Sequence, residues 1–231
     1  GDQVLVAEFG DRIDEAVNDQ VHALAAKIEE QQIPGIGEVV PTFRSLLIYY
    51  DSYQLSYRKA ADKIEELARN LKTEQKTKKR ILKIPCCYGA WFGPDLADME
   101  QLTGLDRKEM IDIHSSVDYK VYMLGFLPGF AYLGGLDERI HVPRLKSPRL
   151  EISRGAVGIG GSQTGIYPMD SPGGWRLMGE TPIDMYDPNR EQPILVQAGD
   201  YIRFVPITIM DYYDIRRAVL DGKYQIEVTE E

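Results

Sequence analysis

Residues 124–182 constrain the fold of this chain more than any other stretch. They make up about a quarter of the 231 residues, yet they hold more than half of the 21 glycines and nearly half of the 13 prolines. Glycine supplies positive φ and proline presets φ, so together they define the backbone at many tight turns. Aromatic residues and arginines are interleaved with them, which is atypical of a disordered linker. The stretch predicts a β scaffold whose turns present aromatic and cationic side chains.

The overall composition is ordinary for a globular protein, with 43% hydrophobic and 27% charged residues. A net charge of −9 disfavours non-specific binding to nucleic acid or to an anionic membrane. No apolar run has the length of a membrane span, and no signal peptide is visible. We therefore expect neither a nucleic-acid partner nor a membrane partner.

The only two cysteines, Cys86 and Cys87, are adjacent, and neighbouring cysteines seldom bond to each other. A chain without a disulfide framework is typical of the reducing cytoplasm, which we predict as its location. Three scattered histidines and the lack of a cysteine pair at ligand spacing argue against a metal site.

The first third of the chain predicts a small α+β domain over residues 1–78. Apolar residues recur every three or four positions from Ile13 to Ile28, which indicates an amphipathic helix, and residues 55–71 form a second such helix. Strands are predicted at residues 4–9, 39–40 and 43–50. Both helices are expected on one face of the sheet. The polar segment 73–80 marks the predicted boundary.

The remaining residues, 79–231, predict a mainly-β domain. Short strands separated by turns suggest a closed or nearly closed barrel. The predicted strands are 81–86, 119–126, 150–153, 156–159, 164–167, 175–179, 194–196 and 201–206. Asp95 and Asp106 are predicted N-caps of two short helices, and Asp106 forms a capping box with Glu109. Residues 211–222 form a C-terminal helical extension, followed by a terminal strand.

The glycine-rich segment 153–165 admits two interpretations. Its backbone N–H groups are suited to an anion-binding nest, and Gln163 and Thr164 add hydrogen-bonding groups beside it. The alternative is a glycine-rich β-turn without a ligand. The segment lacks both the P-loop pattern and the dinucleotide fingerprint.

Cationic residues gather between positions 144 and 154. Arg144 and Arg154, with Lys146 and Arg149 between them, are suited to clamping a carboxylate or a phosphate. The alternative is a solvated surface. His114 is either a general acid/base or a cap near a helix C-terminus, and the same ambiguity holds for His141.

Aromatic side chains complete the candidate ligand site. The turn at residues 172–175 delivers Trp175, which either stacks on a planar ligand or belongs to the core. We predict the following site residues: Arg144, Arg154, Gln163, Thr164, Tyr167 and Trp175 for ligand contact, and His114 for acid/base chemistry.

Three segments carry a resemblance to a known family. IHSSVDYKVYMLGFLPGFAYLGGL, HVPRLKSPRLEISRGAVGIGGSQTGIYP and SPGGWRLMGETP resemble the allophanate hydrolase subunit 1 family, densely over residues 80–206. The resemblance implies a cyclophilin-like β-barrel domain, without prolyl isomerase activity, that follows a small α+β domain.

The family has branches with different functions. One is the B subunit of the bacterial 5-oxoprolinase, which acts with the C and A subunits and uses ATP to convert 5-oxoproline to L-glutamate. Another, KipI, inhibits a sensor histidine kinase. A third is similar to a carboxyltransferase region that works with a biotin carrier. The resemblance favours the 5-oxoprolinase branch and implies that the subunit is inactive alone.

One position departs from the family pattern. Relatives usually have arginine or histidine between the glycine and the threonine of the segment G-[RH]-T-P, where this chain has Glu180. If the arginine or histidine at that position contacts an anion in relatives, Glu180 cannot make the same contact in this chain.

Overall fold

The computed structural model describes residues 3–12, 14–71 and 79–231. Contacts divide the chain into two compact units, Gly1–Thr77 and Lys78–Glu231. Most of the predicted boundary segment 73–80 lies outside the described residues, as does Ile13, the first residue of the predicted helix face. Among the described residues, no helix is both long enough and apolar enough to span a membrane.

The N-terminal unit packs two helices against a three-stranded antiparallel sheet. Its elements are β1 (Val4–Glu8), α1 (Glu15–Gln31), β2 (Ile36–Pro41), β3 (Ser45–Tyr50) and α2 (Tyr57–Arg69), with strand order β1-β3-β2. Leu46, Ile48 and Tyr50 alternate along β3, so they bury one face of the sheet. Apolar residues of both helices, such as Leu24 and Ile64, share one core with them.

The C-terminal unit is a closed barrel of seven strands. The strands of the unit are β4 (Arg80–Tyr88), β5 (Asp118–Leu124), β6 (Ala131–Gly134), β7 (Arg149–Ile152), β8 (Ala156–Gly160), β9 (Gln163–Ile166), β10 (Ser171–Gly173), β11 (Arg176–Glu180), β12 (Tyr201–Pro206) and β13 (Val228–Glu230). The barrel order is β11-β8-β9-β6-β5-β12-β4, and pairing of β11 with β4 closes it. Strand β13 joins the edge of β4, while β7 and β10 form a separate ribbon.

Every second side chain along a barrel strand points inward, and these side chains fill the barrel interior. Ile84 on β4, Val121 on β5, Ile159 on β8 and Phe204 on β12 are fully buried in one core. Three helices accompany the barrel: α3 (Leu96–Thr103), α4 (Arg107–Ser115) and α5 (Ile209–Leu220). Strand closure removes unpaired edges, which explains how so many short strands remain stable.

Several local predictions are confirmed and others are wrong. The capping box of Asp106 and Glu109 is present at the start of α4. Residues 194–196 are not a strand, because Ile194 makes only an isolated bridge to Tyr186. The short strands β6 and β10 were not predicted. Asp95 precedes α3 but makes no cap hydrogen bond, because its carboxylate binds distant residues instead.

Candidate ligand-binding site

The glycines of the β8–β9 hairpin make room for a tryptophan. A Cβ on Gly160 would overlap the indole of Trp175, and one on Gly165 would lie 3.1 Å from its Cζ3. The N–H of Gly161 already donates to the carbonyl of Val142 at 2.8 Å. Close packing therefore accounts for Gly160 and Gly165, and the structure favours the glycine-rich turn over the anion nest.

An aromatic cluster lies outside the barrel core. The ring of Phe130 makes edge-to-face contacts with the rings of Phe126, Tyr132, Tyr167 and Trp175, at centroid distances of 5.2 to 5.8 Å. Trp175 is only 5% exposed and Tyr167 only 3%, whereas Phe126 is 66% exposed. Trp175 is thus a core tryptophan with little free ring surface for stacking on a ligand.

Arg144, which contacts this cluster, and Lys146, two residues further on, have no carboxylate partner in the described part of the chain. The Arg144 guanidinium lies 5.9 Å from the centre of the Trp175 ring, within range of a cation–π contact. Arg144 and Lys146 are both exposed. An unpaired cation in a chain of net charge −9 is a natural attachment point for an anion.

A third cation, Arg149, is held in place by a buried carboxylate. Its Nη2 donates to Asp95 Oδ1 at 2.6 Å, and Asp95 Oδ2 accepts from the backbone N–H of Leu177 at 2.7 Å. The Nη1 of Arg149 is buried and has no acceptor among the described residues. Asp95 therefore fixes one half of the guanidinium and leaves the other half as an unused donor.

The phenol of Tyr167 interacts electrostatically with both Arg144 and Arg149. Burial raises the pKa of its phenol, and the positive charges of Arg144 and Arg149 act in the opposite direction. Arg149 pairs across β7 and β10 with Gly173, where a Cβ would overlap the Tyr167 hydroxyl, and Arg144 lies over the Trp175 ring, whose centre is 6.1 Å from that of Tyr167. We call Arg144, Arg149, Tyr167 and Trp175 the arginine–aromatic site.

The remaining predicted ligand residues, Gln163, Thr164 and Arg154, do not lie together in the structure. Gln163 pairs with Gly160 across the hairpin, which places it on the strand face that Trp175 covers. Thr164 lies on the opposite face and is fully buried. Arg154 forms an ion pair with Asp184, in a different cluster.

His114 lies inside the barrel and is completely buried. Its Nε2 is 2.7 Å from Thr164 Oγ1 and its Nδ1 is 2.8 Å from the Tyr88 hydroxyl. Thr164 donates its own proton to the carbonyl of Gly158 at 3.1 Å. The contacts are all satisfied if His114 carries its proton on Nε2 and accepts at Nδ1 from Tyr88.

This environment keeps the imidazole neutral. Burial lowers the pKa of His114 from 6.5 to about 3. The ring also packs against Phe204, with centroids 4.5 Å apart. A side chain without access to solvent or substrate is poorly placed for the predicted acid/base role, and its contacts favour a structural role.

A second polar cluster surrounds the residue that departs from the family pattern. Glu180 Oε1 accepts a hydrogen bond from the Tyr212 hydroxyl. Burial raises the pKa of Glu180, while Arg154 and Arg216 act to lower it. Asp184 bridges the same two arginines. The acid at position 180 is therefore accommodated by a tyrosine and two nearby cations.

Sequence reasoning did not select Asp95, Arg149 or Tyr212 for these clusters. Asp95 is 54 residues from Arg149 and Tyr212 is 32 residues from Glu180. No sequence pattern that spans a few residues indicates a contact between residues so far apart in the chain. The position of Arg149 in the cationic segment 144–154 was the one sequence feature that pointed to a role in anion binding. That feature alone did not distinguish Arg149 from a solvated arginine.

The chain belongs to the carboxyltransferase domain family, subdomain C and D, whose family model matches residues 1–196. It is 44% identical over 223 residues to the B subunit of 5-oxoprolinase from Bacillus subtilis (strain 168), an alignment that covers 92% of this chain and 93% of the relative. It is 39% identical over 208 residues to the B subunit of 5-oxoprolinase from Escherichia coli O157:H7, covering 89% and 93%. The crystal structure of TTHA0988 superposes with a TM-score of 0.79 at 34% identity. That match covers 89% of this chain but only 40% of the TTHA0988 chain.

Proposed function

We propose that this chain is the B subunit of an ATP-dependent 5-oxoprolinase that converts 5-oxoproline to L-glutamate with the C and A subunits. The observation that carries the proposal is the identity of 44% and 39% to two proteins of that name, each over nearly the full length of both sequences. We further propose that the chain is inactive alone and cytoplasmic, with a cyclophilin-like barrel and a domain boundary near residue 78.

The reaction requires activation of a stable lactam. In the proposed sequence, the lactam oxygen attacks the γ-phosphorus of ATP and ADP leaves. Water then attacks the activated ring carbon and the ring C–N bond breaks, so that the ring nitrogen becomes the amine of glutamate. Hydrolysis of the remaining C–O–P linkage yields the carboxylate and phosphate. Negative charge thus develops at oxygens, and such charge is stabilised by fixed cationic donors.

The arginine–aromatic site supplies donors of this kind. Arg144 and Lys146 are exposed and unpaired within the described residues, and Asp95 orients Arg149. We propose that Arg144 binds the anionic oxygens of the substrate or of the phosphorylated intermediate, with Gln163 on the adjoining strand face and with the guanidinium of Arg149, anchored by Asp95, adding positive charge nearby. The KM values for ATP and for 5-oxoproline in the Arg144 variant, described below, distinguish which of the two this chain contacts. His114 is assigned no contact with the substrate, because it is fully buried.

Reconstitution tests the proposal. The chain is mixed with purified C and A subunits, ATP and 5-oxoproline, and glutamate is measured. We expect glutamate only when the chain and both partners are present. Absence of glutamate with partners that are active alongside an established B subunit would refute the function.

Variants test the site within the reconstituted complex. Arg144→Ala should raise KM for 5-oxoproline or ATP by about tenfold or more, since a charge-assisted hydrogen bond contributes about 1.5–3 kcal/mol. Arg58→Ala is the matched control, because this exposed arginine lies on α2 of the N-terminal unit and is not a member of the arginine–aromatic site. Equal KM values for the two variants would remove Arg144 from the site.

The family match favours one alternative, a carboxyltransferase subunit. That function predicts transfer of a carboxyl group from a biotin carrier to an amide, with no need for the A subunit of 5-oxoprolinase. Carboxylation in the presence of a biotinylated carrier, without glutamate formation, would favour it. Inhibition of a sensor histidine kinase has no support from the relatives named above.

A further inference from the structure

The loop between β5 and β6 contains a strained turn. The backbone N–H of Leu127 donates to the carbonyl of Gly125 at 2.8 Å, and Phe126 between them has φ of +67°. A three-residue turn with a positive φ at its centre is the rare and strained form of the γ-turn. Positive φ is uncommon for any residue with a Cβ and is a genuine outlier for a bulky one. Glycine would adopt this backbone without strain.

The rest of the loop holds this turn in place. The N–H of Phe130 donates to the carbonyl of Leu127 at 3.0 Å, and the N–H of Gly125 donates to the carbonyl of Phe130 at 3.2 Å. Gly129 packs so closely that a Cβ there would lie 3.0 Å from the Cβ of Tyr186. The surrounding structure therefore imposes the strained conformation.

Packing of the Phe126 side chain does not offset this strain. Phe126 is 66% exposed, and among the described residues its only ring contact is the edge-to-face contact with Phe130, at 5.7 Å between centroids. A side chain that remains mostly in water gains little from the hydrophobic effect. Backbone strain is concentrated at active sites and ligand-binding sites. What this turn achieves is the display of a rigid aromatic ring at the surface.

Phe126 borders the arginine–aromatic site. The Phe130 ring that it contacts also contacts the Trp175 ring, at 5.5 Å between centroids. The Arg144 guanidinium lies 5.9 Å from the centre of that indole. An exposed ring and an exposed guanidinium are thus attached to one aromatic cluster.

These two exposed groups indicate the chemistry of the ligand. A guanidinium binds a carboxylate or a phosphate, and an aromatic ring packs on a flat or apolar group. Features that bind a polyphosphate do not accompany them, since segment 153–165 lacks the P-loop pattern and the N–H of Gly161 is already bonded to Val142. A small carboxylate with a compact planar ring fits this combination, and 5-oxoproline is such a molecule.

We propose that Phe126 is a substrate-contacting residue of the arginine–aromatic site, which packs on the lactam ring of 5-oxoproline while Arg144 binds the carboxylate. This inference rests on the proposed function for the identity of the substrate. A contact made equally with the bound substrate and with the transition state changes KM and leaves kcat unaltered. Phe126 therefore sets the affinity for the substrate and takes no part in the chemical steps.

Kinetics of the reconstituted complex with Phe126→Gly test this role. KM for 5-oxoproline should rise about tenfold, whereas kcat and KM for ATP should stay within about twofold of wild type. Phe126→Tyr keeps the ring and should keep KM for 5-oxoproline within about threefold of the wild-type value. Gln32→Gly is the matched control, since it relieves a φ of +43° at the end of α1 in the N-terminal unit and should leave both KM values unchanged.

Urea denaturation of the same variants separates ligand contact from packing. Because the ring is mostly exposed and glycine is unstrained at positive φ, the midpoint of Phe126→Gly should equal or exceed that of wild type. A lower midpoint would show that the ring is held for packing and would overturn the inference. A wild-type KM for 5-oxoproline in Phe126→Gly would also overturn it, as would a rise in KM for ATP alone.

Failure of this inference is distinguishable from failure of the proposed function. If the wild-type chain forms glutamate with its partners and Phe126→Gly has the wild-type KM, only the role of Phe126 is refuted. If the wild-type chain forms no glutamate with partners that are active alongside an established B subunit, the proposed function is refuted, and the contact of Phe126 with 5-oxoproline is refuted with it.

Discussion

At the level of single residues, the two faces of the β8–β9 hairpin meet opposite packing demands. The outer face has no room for a side chain at Gly160 or Gly165, because the Trp175 indole occupies that space. The inner face places Thr164 against His114 in the barrel interior. Alternation of side chains along a strand explains why one short segment satisfies both demands.

Adding a methyl group at Gly160 should displace Trp175. Gly160→Ala is expected to lower the free energy of unfolding by about 1–3 kcal/mol, as for other overpacked sites. Gly174→Ala is the matched control, since its Cβ would meet nothing closer than 3.7 Å, and its effect should stay within about 1 kcal/mol. Urea denaturation followed by tryptophan fluorescence measures both. Equal stability of the two variants would contradict the packing explanation.

Burial of His114 predicts a specific dependence of stability on pH. Its folded pKa of about 3 lies below the ordinary value of 6.5, so its contribution is fully present above pH 6.5 and is lost progressively as pH falls towards 3. The loss attributable to this residue between about pH 7.5 and about pH 5.5 is on the order of 1 kcal/mol.

The variant His114→Gln removes this titration. It should be less stable than wild type at about pH 7.5, but its stability should fall by on the order of 1 kcal/mol less than that of wild type over the same pH interval. His141→Gln, at a half-buried position, controls for the loss of a histidine as such. A His114→Gln variant with the wild-type pH dependence would show that the ring is not held neutral.

At the level of elements, α5 depends on a few side chains for its attachment. Besides the Phe92–Tyr212 contact, the helix has its own capping box, in which Thr208 and Asp211 satisfy each other's backbone N–H groups. Tyr212 is its only buried residue among those described. A helix with so little buried apolar surface relies on polar contacts such as Tyr212–Glu180 and Arg216–Asp184.

Removing the Tyr212 hydroxyl should weaken this attachment. Tyr212→Phe keeps the ring on Phe92 but leaves half-buried Glu180 without its donor, and we expect a loss of about 1–2 kcal/mol in unfolding free energy.

Glu180→Gln keeps an acceptor at position 180 and removes the negative charge. Because the folded pKa of Glu180 is raised above 4.5, the charged form opposes folding at neutral pH, and the advantage of Glu180→Gln over wild type should shrink as the pH is lowered through that pKa.

Urea titrations of both variants at neutral and acidic pH measure these effects. A Tyr212→Phe variant as stable as wild type would show that the hydrogen bond to Glu180 does not hold the helix. A Glu180→Gln variant less stable than wild type at neutral pH would show that attraction to Arg154 and Arg216 outweighs the effect of burial.

At the level of the whole molecule, each unit has its own hydrophobic core. Leu24, Ile48 and Ile64 belong to the N-terminal core, whereas Ile84 and Phe204 belong to the barrel core. Both tryptophans, Trp91 and Trp175, lie in the C-terminal unit. A unit with a separate core is the physical definition of a domain that folds independently.

The fragment 79–231 should therefore fold alone. Its tryptophan fluorescence transition in urea is expected at a midpoint close to that of the full chain, since that signal arises from the C-terminal unit in both. A fragment with unfolded fluorescence and no cooperative transition would show that the barrel needs residues 1–78. A higher m-value for the full chain than for the fragment would indicate coupled unfolding of the two units.

The sequence by itself determined the features that depend on neighbours in the chain. Helical periodicity predicted α1 and α2, the Asp106–Glu109 spacing predicted a capping box, and the succession of short strands separated by turns predicted a barrel. These features follow from local geometry, which is encoded within a few residues. The family followed from long ordered motifs, and the match over residues 1–196 confirms it.

Only the tertiary structure decided which side chains meet. The sequence grouped His114, Thr164, Trp175 and Arg154 as one site, but barrel closure sends His114 and Thr164 into the core and Arg154 to Asp184. It also brings Asp95 to Arg149 across 54 residues of chain. Strand alternation reverses the direction of a side chain with each residue, and pairing partners are set by the whole barrel, so proximity in sequence does not establish proximity in space.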